Sequence, residues 1–211
     1  MKKMILLASM AIAGVNIAHA QLSINPEAGI NIANMSQKVG DSKLGTKSII
    51  GYKVGAVLDI DIAKGFYIQP GAFYSTKGSE YTVLGLTTKT TVGYIEVPVN
   101  IAYRYDFGNA GAVFAAAGPY IGIGMTGKNK TENVPLVGTV ENDIKFGSKD
   151  GEMKKIDYGA NFSVGYISPI GIYVRAQYGL GLANLSNTNN SSSKNRVWGF
   201  SLGYAFQLNE R

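Results

Sequence analysis

The stretch Arg196–Leu208 limits what this chain can become more than any other. From Val197 onward, bulky apolar residues recur at every second position: Trp198, Phe200, Leu202, Tyr204, Phe206 and Leu208. Between them stand Val197, Gly199, Ser201, Gly203, Ala205 and Gln207. Successive side chains of a strand point to opposite faces, so this strand has one bulky apolar face and one small, weakly polar face. A half-wet strand of a soluble sandwich carries Lys, Glu and Thr on its polar face, whereas a membrane barrel puts aromatics toward lipid and small or polar residues into a crowded lumen.

The same period runs through eight segments: Ile24–Asn34, Ile49–Ile62, Gly65–Thr76, Thr91–Tyr105, Ala112–Thr126, Ile156–Ile167, Gly171–Ala183 and Arg196–Leu208. Their lengths suit tilted strands crossing a bilayer. Links after the second, fourth and sixth are short (63–64, 106–111, 168–170). Those after the first, third, fifth and seventh are long and polar (35–48, 77–90, 127–155, 184–195). An even count with strict short–long alternation predicts an all-β, single eight-stranded antiparallel transmembrane β-barrel of up-and-down topology, with both termini periplasmic and the long loops extracellular. Composition agrees: 27 glycines and 13 tyrosines with only 16% charged residues. Met1–Ala20 reads as a cleaved signal peptide, with Lys2 and Lys3, an apolar run and Ala18-His19-Ala20 before Gln21, which leaves 21–211 as the barrel domain. Cleavage takes the formal charge from +6 to +4 and removes His19, the only histidine; there is no cysteine. Acyl-transfer and metal chemistries that need His or Cys are thereby excluded from the mature chain, and no catalytic, cofactor or metal residue is assigned.

Parity separates the charges. With Tyr52, Val54, Leu58, Ile95, Val97, Ile172 and Val174 facing lipid, Lys53, Asp59, Asp61, Glu96, Arg104 and Arg175 all face inward. Gln69, Tyr173 and Gln177 share that side, and the nine predict a polar cluster filling a lumen just wide enough for side chains. Asp59 and Asp61 are expected near Lys53 or Lys64. Aromatics predict two interface belts: Phe66, Tyr103, Tyr105, Tyr166, Tyr204 and Phe206 by the short turns, and Tyr52, Tyr74, Tyr158 and Trp198 by the long loops. Arg196 shares the lipid-facing parity at the outer interface, within reach of lipid phosphates. Pro70, Pro98 and Pro119 fall inside strands, where a missing N–H predicts bulges or irregular pairing. The loops, with Arg196, hold 13 Lys or Arg against seven acids, which suits lipopolysaccharide, a glycan or a surface protein as partner and not nucleic acid. Gly127–Lys155 is long enough for a small hairpin around Val134–Phe146, and Asn187–Lys194 reads as mobile.

The runs GFYIQPGAFYSTKG (65–78), GYIEVPVNIAYRY (93–105), AGPYIGIGMTGK (117–128), YGLGLANLSN (178–187) and NRVWGFSLGYAF (195–206) resemble, in order, the small eight-stranded outer-membrane barrels of Bacteroidota, the PorT-type or outer-membrane beta-barrel domain proteins. The resemblance covers essentially the whole mature chain and implies outer-membrane lipid as surroundings and the barrel assembly machinery as a partner during insertion. It implies no particular activity, although one branch is linked to protein secretion. Two departures stand out: Gly71 where the family often has an acid, and Gln207–Arg211 extending past the terminal aromatic. A structural or surface-interaction barrel, a narrow pore, a secretion component and a soluble lipocalin-like binder are the functions left open.

Overall fold

The computed structural model describes residues 22–206; the Met1–Ala20 segment expected to be a signal peptide and the Gln207–Arg211 extension lie outside them. Eleven strands follow in order: β1 (Leu22–Val39), β2 (Ser42–Lys43), β3 (Thr46–Lys47), β4 (Ile49–Ala63), β5 (Phe66–Val83), β6 (Leu86–Asp106), β7 (Ala112–Val134), β8 (Gly138–Asp143), β9 (Ile156–Ile167), β10 (Ile172–Gly181) and β11 (Ser191–Tyr204). Eight of them form one antiparallel ring in which β1, β4, β5, β6, β7, β9, β10 and β11 each pair with their chain neighbours. β11 returns to β1, with Ile30 opposite Phe200, so the ring has no free edge. No helix of the described residues is long and apolar enough to cross a membrane, and the apolar surface belongs to strands instead.

Period-two patterning explains the two surfaces. Ile95, Val97, Val99, Ile101, Tyr103 and Tyr105 of β6 are exposed, while Tyr94, Glu96, Pro98, Asn100 and Ala102 between them are buried. The outside is an apolar belt, and the polar groups sit in the lumen. Aromatic pairs bound the belt. Tyr52–Tyr74 and Tyr178–Trp198, with centroids 5.8 and 4.9 Å apart, lie at one rim beside the exposed Tyr158. Phe66–Tyr103, Tyr105–Phe107 and Tyr204–Phe206 lie at the other, where Tyr166 Oη donates to the Ala110 carbonyl at 2.7 Å.

At that second rim the strands turn tightly through Lys64-Gly65, the 3-10 turn Gly108–Ala110 and Ser168–Gly171. The first and last described strands also end there. The opposite rim departs from the sequence reading. Residues 77–90 are not a loop: β5 and β6 run on as a hairpin to a two-residue turn, Leu84-Gly85. β7 likewise continues to Val134 and folds back as β8, within the segment where a small hairpin was expected. β3 adds to β5 through Thr46–Tyr81, so a sheet of β3, β5, β6, β7 and β8 stands above the belt. Nor is 187–194 without order. Asn184 Oδ1 accepts from the backbone N–H of Ser186 and Ser193, and Asn187 Nδ2 donates to the carbonyls of Gly147 and Glu152.

A bulge sets where the belt ends. The β6–β7 register slips between Gly93 and Tyr94, giving β7 one extra residue. On its outer face Val113, Ala115, Ile121 and Ile123 precede the slip, the exposed Met125 is the extra residue, and Lys128, Lys130 and Glu132 follow it. The bulge inverts the parity of β7, as an inserted residue must, and the outer face changes from apolar to charged at that point. The prolines act differently. Pairing lapses between Pro70/Val99 and Phe73/Glu96, and again between Pro98/Tyr120 and Ile101/Ala117, without a change of register. Missing donors open the ladder locally while neighbouring pairs hold alignment.

Two glycines of the wall make room for the inner packing. A Cβ on Gly203 would strike the Tyr173 ring and lie 2.6 Å from the Pro26 carbonyl, and one on Gly165 would strike the Phe114 ring. Gly203→Val should therefore lower stability by about 1 to 3 kcal/mol through overpacking. A thermal midpoint of the heat-modifiable band equal to that of the parent protein would contradict this packing.

Candidate functional site

Inward parity delivers eight buried or part-buried charges into a lumen too narrow for water to solvate them, so each must find its partner inside. They assemble into three groups. The middle one is centred on Glu27 of β1. Its Oε1 lies 2.6 Å from Lys53 Nζ, and its Oε2 accepts from Arg175 Nε at 3.0 Å and Tyr173 Oη at 2.9 Å. Arg175 Nη1 also donates to Ser163 Oγ at 3.0 Å, and Lys53 Nζ donates to Gln177 Oε1 at 3.2 Å. The faces of Phe73 and Phe114 cover the two cations, 4.5 and 4.8 Å from ring centroid to charge.

Nearer the hairpin rim, Lys77 bridges Glu96 and Asp157, with Asp157 Oδ2 at 3.3 Å. The same oxygen accepts from Tyr120 Oη at 3.2 Å and Asn195 Nδ2 at 2.9 Å, and the Tyr120 ring lies 4.4 Å beneath the ammonium. Toward the short-turn rim, Asp59 accepts from Arg104 Nη2 at 2.5 Å and Gln69 Nε2 at 2.6 Å, while Tyr67 stacks against the guanidinium at 4.4 Å. Above these groups Met35, Ala183 and Leu185 pack together with Met153 of the β8–β9 connection. A vestibule of about 860 Å³ remains at the short-turn end, lined among others by Asp59, Lys64, Tyr67, Arg104 and Asp106.

Several expectations change. Lys53, Asp59, Gln69, Glu96, Tyr173 and Arg175 are buried and Gln177 and Arg104 partly so, but Asp61 is half-exposed and opposite Tyr67. Asp59 pairs with Arg104 rather than Lys53 or Lys64, because Lys53 is taken by Glu27. Arg196 Nη1 donates to the carbonyls of Gly181 (2.6 Å) and Asn195 (2.8 Å), so it serves the wall rather than a lipid phosphate. Lys77, counted with the loop charges, lies within the lumen, which leaves twelve basic residues against seven acids on that rim. Glu27 and Asp157 were missed although their odd positions beside Ala28 and Tyr158 already carried the inward parity. Lys77 was missed with its strand.

The exposed charges above the belt behave in the ordinary way. Lys128 and Glu141, 2.5 Å apart, join β7 to β8, and Lys130 meets Glu132 at 2.8 Å along one strand. These lysine hydrogen bonds hold both carboxyls below their usual range. Among the described residues no group of three His, Cys, Asp or Glu is placed to hold a metal.

The contrast between the two kinds of pair is measurable. Glu27→Ala leaves Lys53 and Arg175 buried without an anion and should cost about 3 to 5 kcal/mol. Lys128→Met removes a fully exposed, solvent-screened pair and should leave the unfolding midpoint essentially where it was. Urea unfolding of the two variants in the same detergent micelle checks this; equal midpoints would mean that the lumen network adds nothing.

The fold has counterparts among solved structures. Neisserial surface protein A shares 13% identity over 88% of this chain and 99% of its own, with a TM-score of 0.50. Ail, the attachment invasion locus protein of Yersinia pestis, solved with the heparin analogue sucrose octasulfate, shares 14% over 89% and 99%, at a TM-score of 0.45. OprG of Pseudomonas aeruginosa shares 15% over 89% and 96%, at 0.46. No curated protein matches the chain. The profile of the outer membrane protein beta-barrel domain matches residues 16–187, most of the chain, and the protein belongs to that family as an integral outer-membrane barrel.

Proposed function

We propose that the protein is a plugged barrel that holds a rigid sheet at the cell surface, with both termini periplasmic and the hairpins extracellular. The carrying observation is the lumen. Lys53, Lys77, Arg175, Glu27, Glu96 and Asp157 are each at most 5% exposed and engage one another. A continuous solute path would hydrate these groups, and a shuttle would need partners that exchange; here every cation is held by at least one carboxylate. The structure invests instead in the hairpin rim, where β5, β6 and β7 outlast the apolar belt and β3 and β8 widen the sheet.

Display also accounts for orientation. Outer-membrane barrels keep short turns in the periplasm and long connections outside, and the two rims differ in that way. With neither histidine nor cysteine among the described residues, no acyl-transfer step is assigned to the chain. Twelve basic residues against seven acids leave the outer rim positive, favouring anionic glycan or lipopolysaccharide over nucleic acid as its polar surroundings.

Single-channel recording in planar bilayers tests the plugged state, with no discrete conductance steps expected. Ohmic steps from folded, heat-modifiable protein would overturn it. A Val137→Cys variant, whose thiol is unique in a chain without cysteine, should react with a membrane-impermeant maleimide on intact cells. Labelling only after lysis would place the hairpins on the wrong side.

A further inference from the structure

The tips of the two long hairpins break the rules that the rest of the structure obeys. Leu84 has φ 50° and Leu136 has φ 68°, the left-handed region that glycine and asparagine enter at little cost and a leucine enters against a steric penalty. Two-residue hairpin turns with positive φ at both centres select Asn-Gly or Asp-Gly, yet here the pair is Leu84-Gly85. Packing offers no return for the strain, since Leu84 is 98% exposed and Leu136 is 108% exposed. An outlier that neither backbone preference nor burial explains points to use of the side chain itself.

The two tips act as one. Asn133 Nδ2 donates to the Gly85 carbonyl at 3.3 Å, fastening the β7–β8 tip to the β5–β6 tip, and the exposed Val83 and Val137 extend the patch. No charged residue occurs from Tyr81 to Thr88 or from Asn133 to Val140. Hydroxyl pairs, Thr82 with Thr87 at 3.0 Å and Thr88 with Thr131 at 3.1 Å, stand between the apolar end of the β5–β6 hairpin and its first charges, Glu80 and Lys89. The β5–β6 hairpin therefore grades from charge, through hydroxyl, to exposed hydrocarbon, while on the β7–β8 hairpin Glu132 and Glu141 flank the uncharged tip directly.

From this arrangement we infer that the joined tips are a wedge that inserts into the apolar layer of a lipid bilayer facing the cell. The inference rests on the outward display of the hairpins argued above. Area and shape select the occupant. Four side chains offer a few hundred Å² at most, whereas a stable protein interface covers about 800 Å² on each partner. A convex, neutral tip needs no matching pocket in a bilayer, where affinity follows the apolar area submerged. The protein's own membrane is out of reach. Tyr74, the last belt aromatic of β5, is nine residues before Val83, about 30 Å along a strand at roughly 3.3 Å per residue. Because no lysine lies at the tip, insertion should depend little on headgroup charge.

The test uses the whole barrel in lipid nanodiscs, with a Val137→Cys variant carrying an environment-sensitive nitrobenzoxadiazole, mixed with phosphatidylcholine vesicles. Blue-shifted, brighter emission and co-flotation are expected, unchanged as salt rises from about 0.05 M to about 0.5 M. Combining Leu84→Asn with Leu136→Asn should weaken flotation by about tenfold or more. The thermal midpoint should hold or rise, because asparagine tolerates the left-handed backbone. Inert vesicles, binding abolished by salt, capture of a protein without vesicle binding, or a lowered midpoint in the double variant would each overturn the wedge. A probe site labelled on intact cells yet inert to vesicles rejects this inference alone; a site unreactive on intact cells rejects the surface display beneath it.

Discussion

Glu27 is the group on which the closed ring depends. One carboxylate on the first strand receives Lys53 from its neighbour and both Arg175 and Tyr173 from the tenth. Arg175 is 148 residues away in sequence, so the bond forms only when the ends of the sheet meet. Before closure, two cations and an anion would face a water-filled half-barrel; after closure they face one another in a space with no water to spare. Pairing and closure are therefore a single event. The low dielectric that makes an unpaired charge costly makes the completed ring resistant to opening at the β1–β11 seam.

The same economy explains why the outside can be so plain. With polar groups turned inward, β4, β6 and β9 expose aliphatic and aromatic side chains between two aromatic belts and need nothing further to sit in lipid. The boundary is drawn by a backbone device rather than by composition alone. One extra residue in β7 inverts its parity, so Lys128, Lys130 and Glu132 appear on the outer face where Ile121 and Ile123 had been. The prolines interrupt three neighbouring ladders lower down without moving the register, which the flanking paired residues preserve.

Most of the ring was legible because burial imposes period two wherever one face meets lipid. The β4 and β9 spans were readable nearly to the residue, and the inward side of Glu96, Arg104 and Arg175 followed from parity alone. Legibility failed where lipid ends. From Gly78 to Thr90 both faces of the hairpin meet water or lumen, alternation of hydrophobicity disappears, and a threonine-rich stretch reads as loop although β-branched residues suit strands. The Leu84-Gly85 turn hid the hairpin further, since its first residue is not the Asn or Asp that marks such a turn. Losing that hairpin meant losing Lys77, and with it the reason Asp157 and Glu96 can share one lumen. Pairing was beyond the sequence for a different reason. Parity says which side a charge faces, and only the stagger of the closed barrel says which charges meet, as Asp59 with Arg104 rather than Lys53 illustrates.

Stagger also divides the lumen charges unequally. The group around Glu27 holds two cations and one anion, and the group around Lys77 holds one cation and two anions. Asp59 and Arg104 balance each other. Each of the larger groups alone would leave a net charge in a dry interior, an arrangement that buried ion pairs tolerate poorly. Held in the same narrow lumen, the opposite excesses offset one another, so neither triad is self-sufficient and each stabilises the other across the barrel. The plug is then better regarded as one eight-charge network than as three separate clusters. A rigid, neutral interior of that kind is what a tall, one-sided sheet requires beneath it, because β5, β6 and β7 can hold their tips in place only if their lower halves do not move.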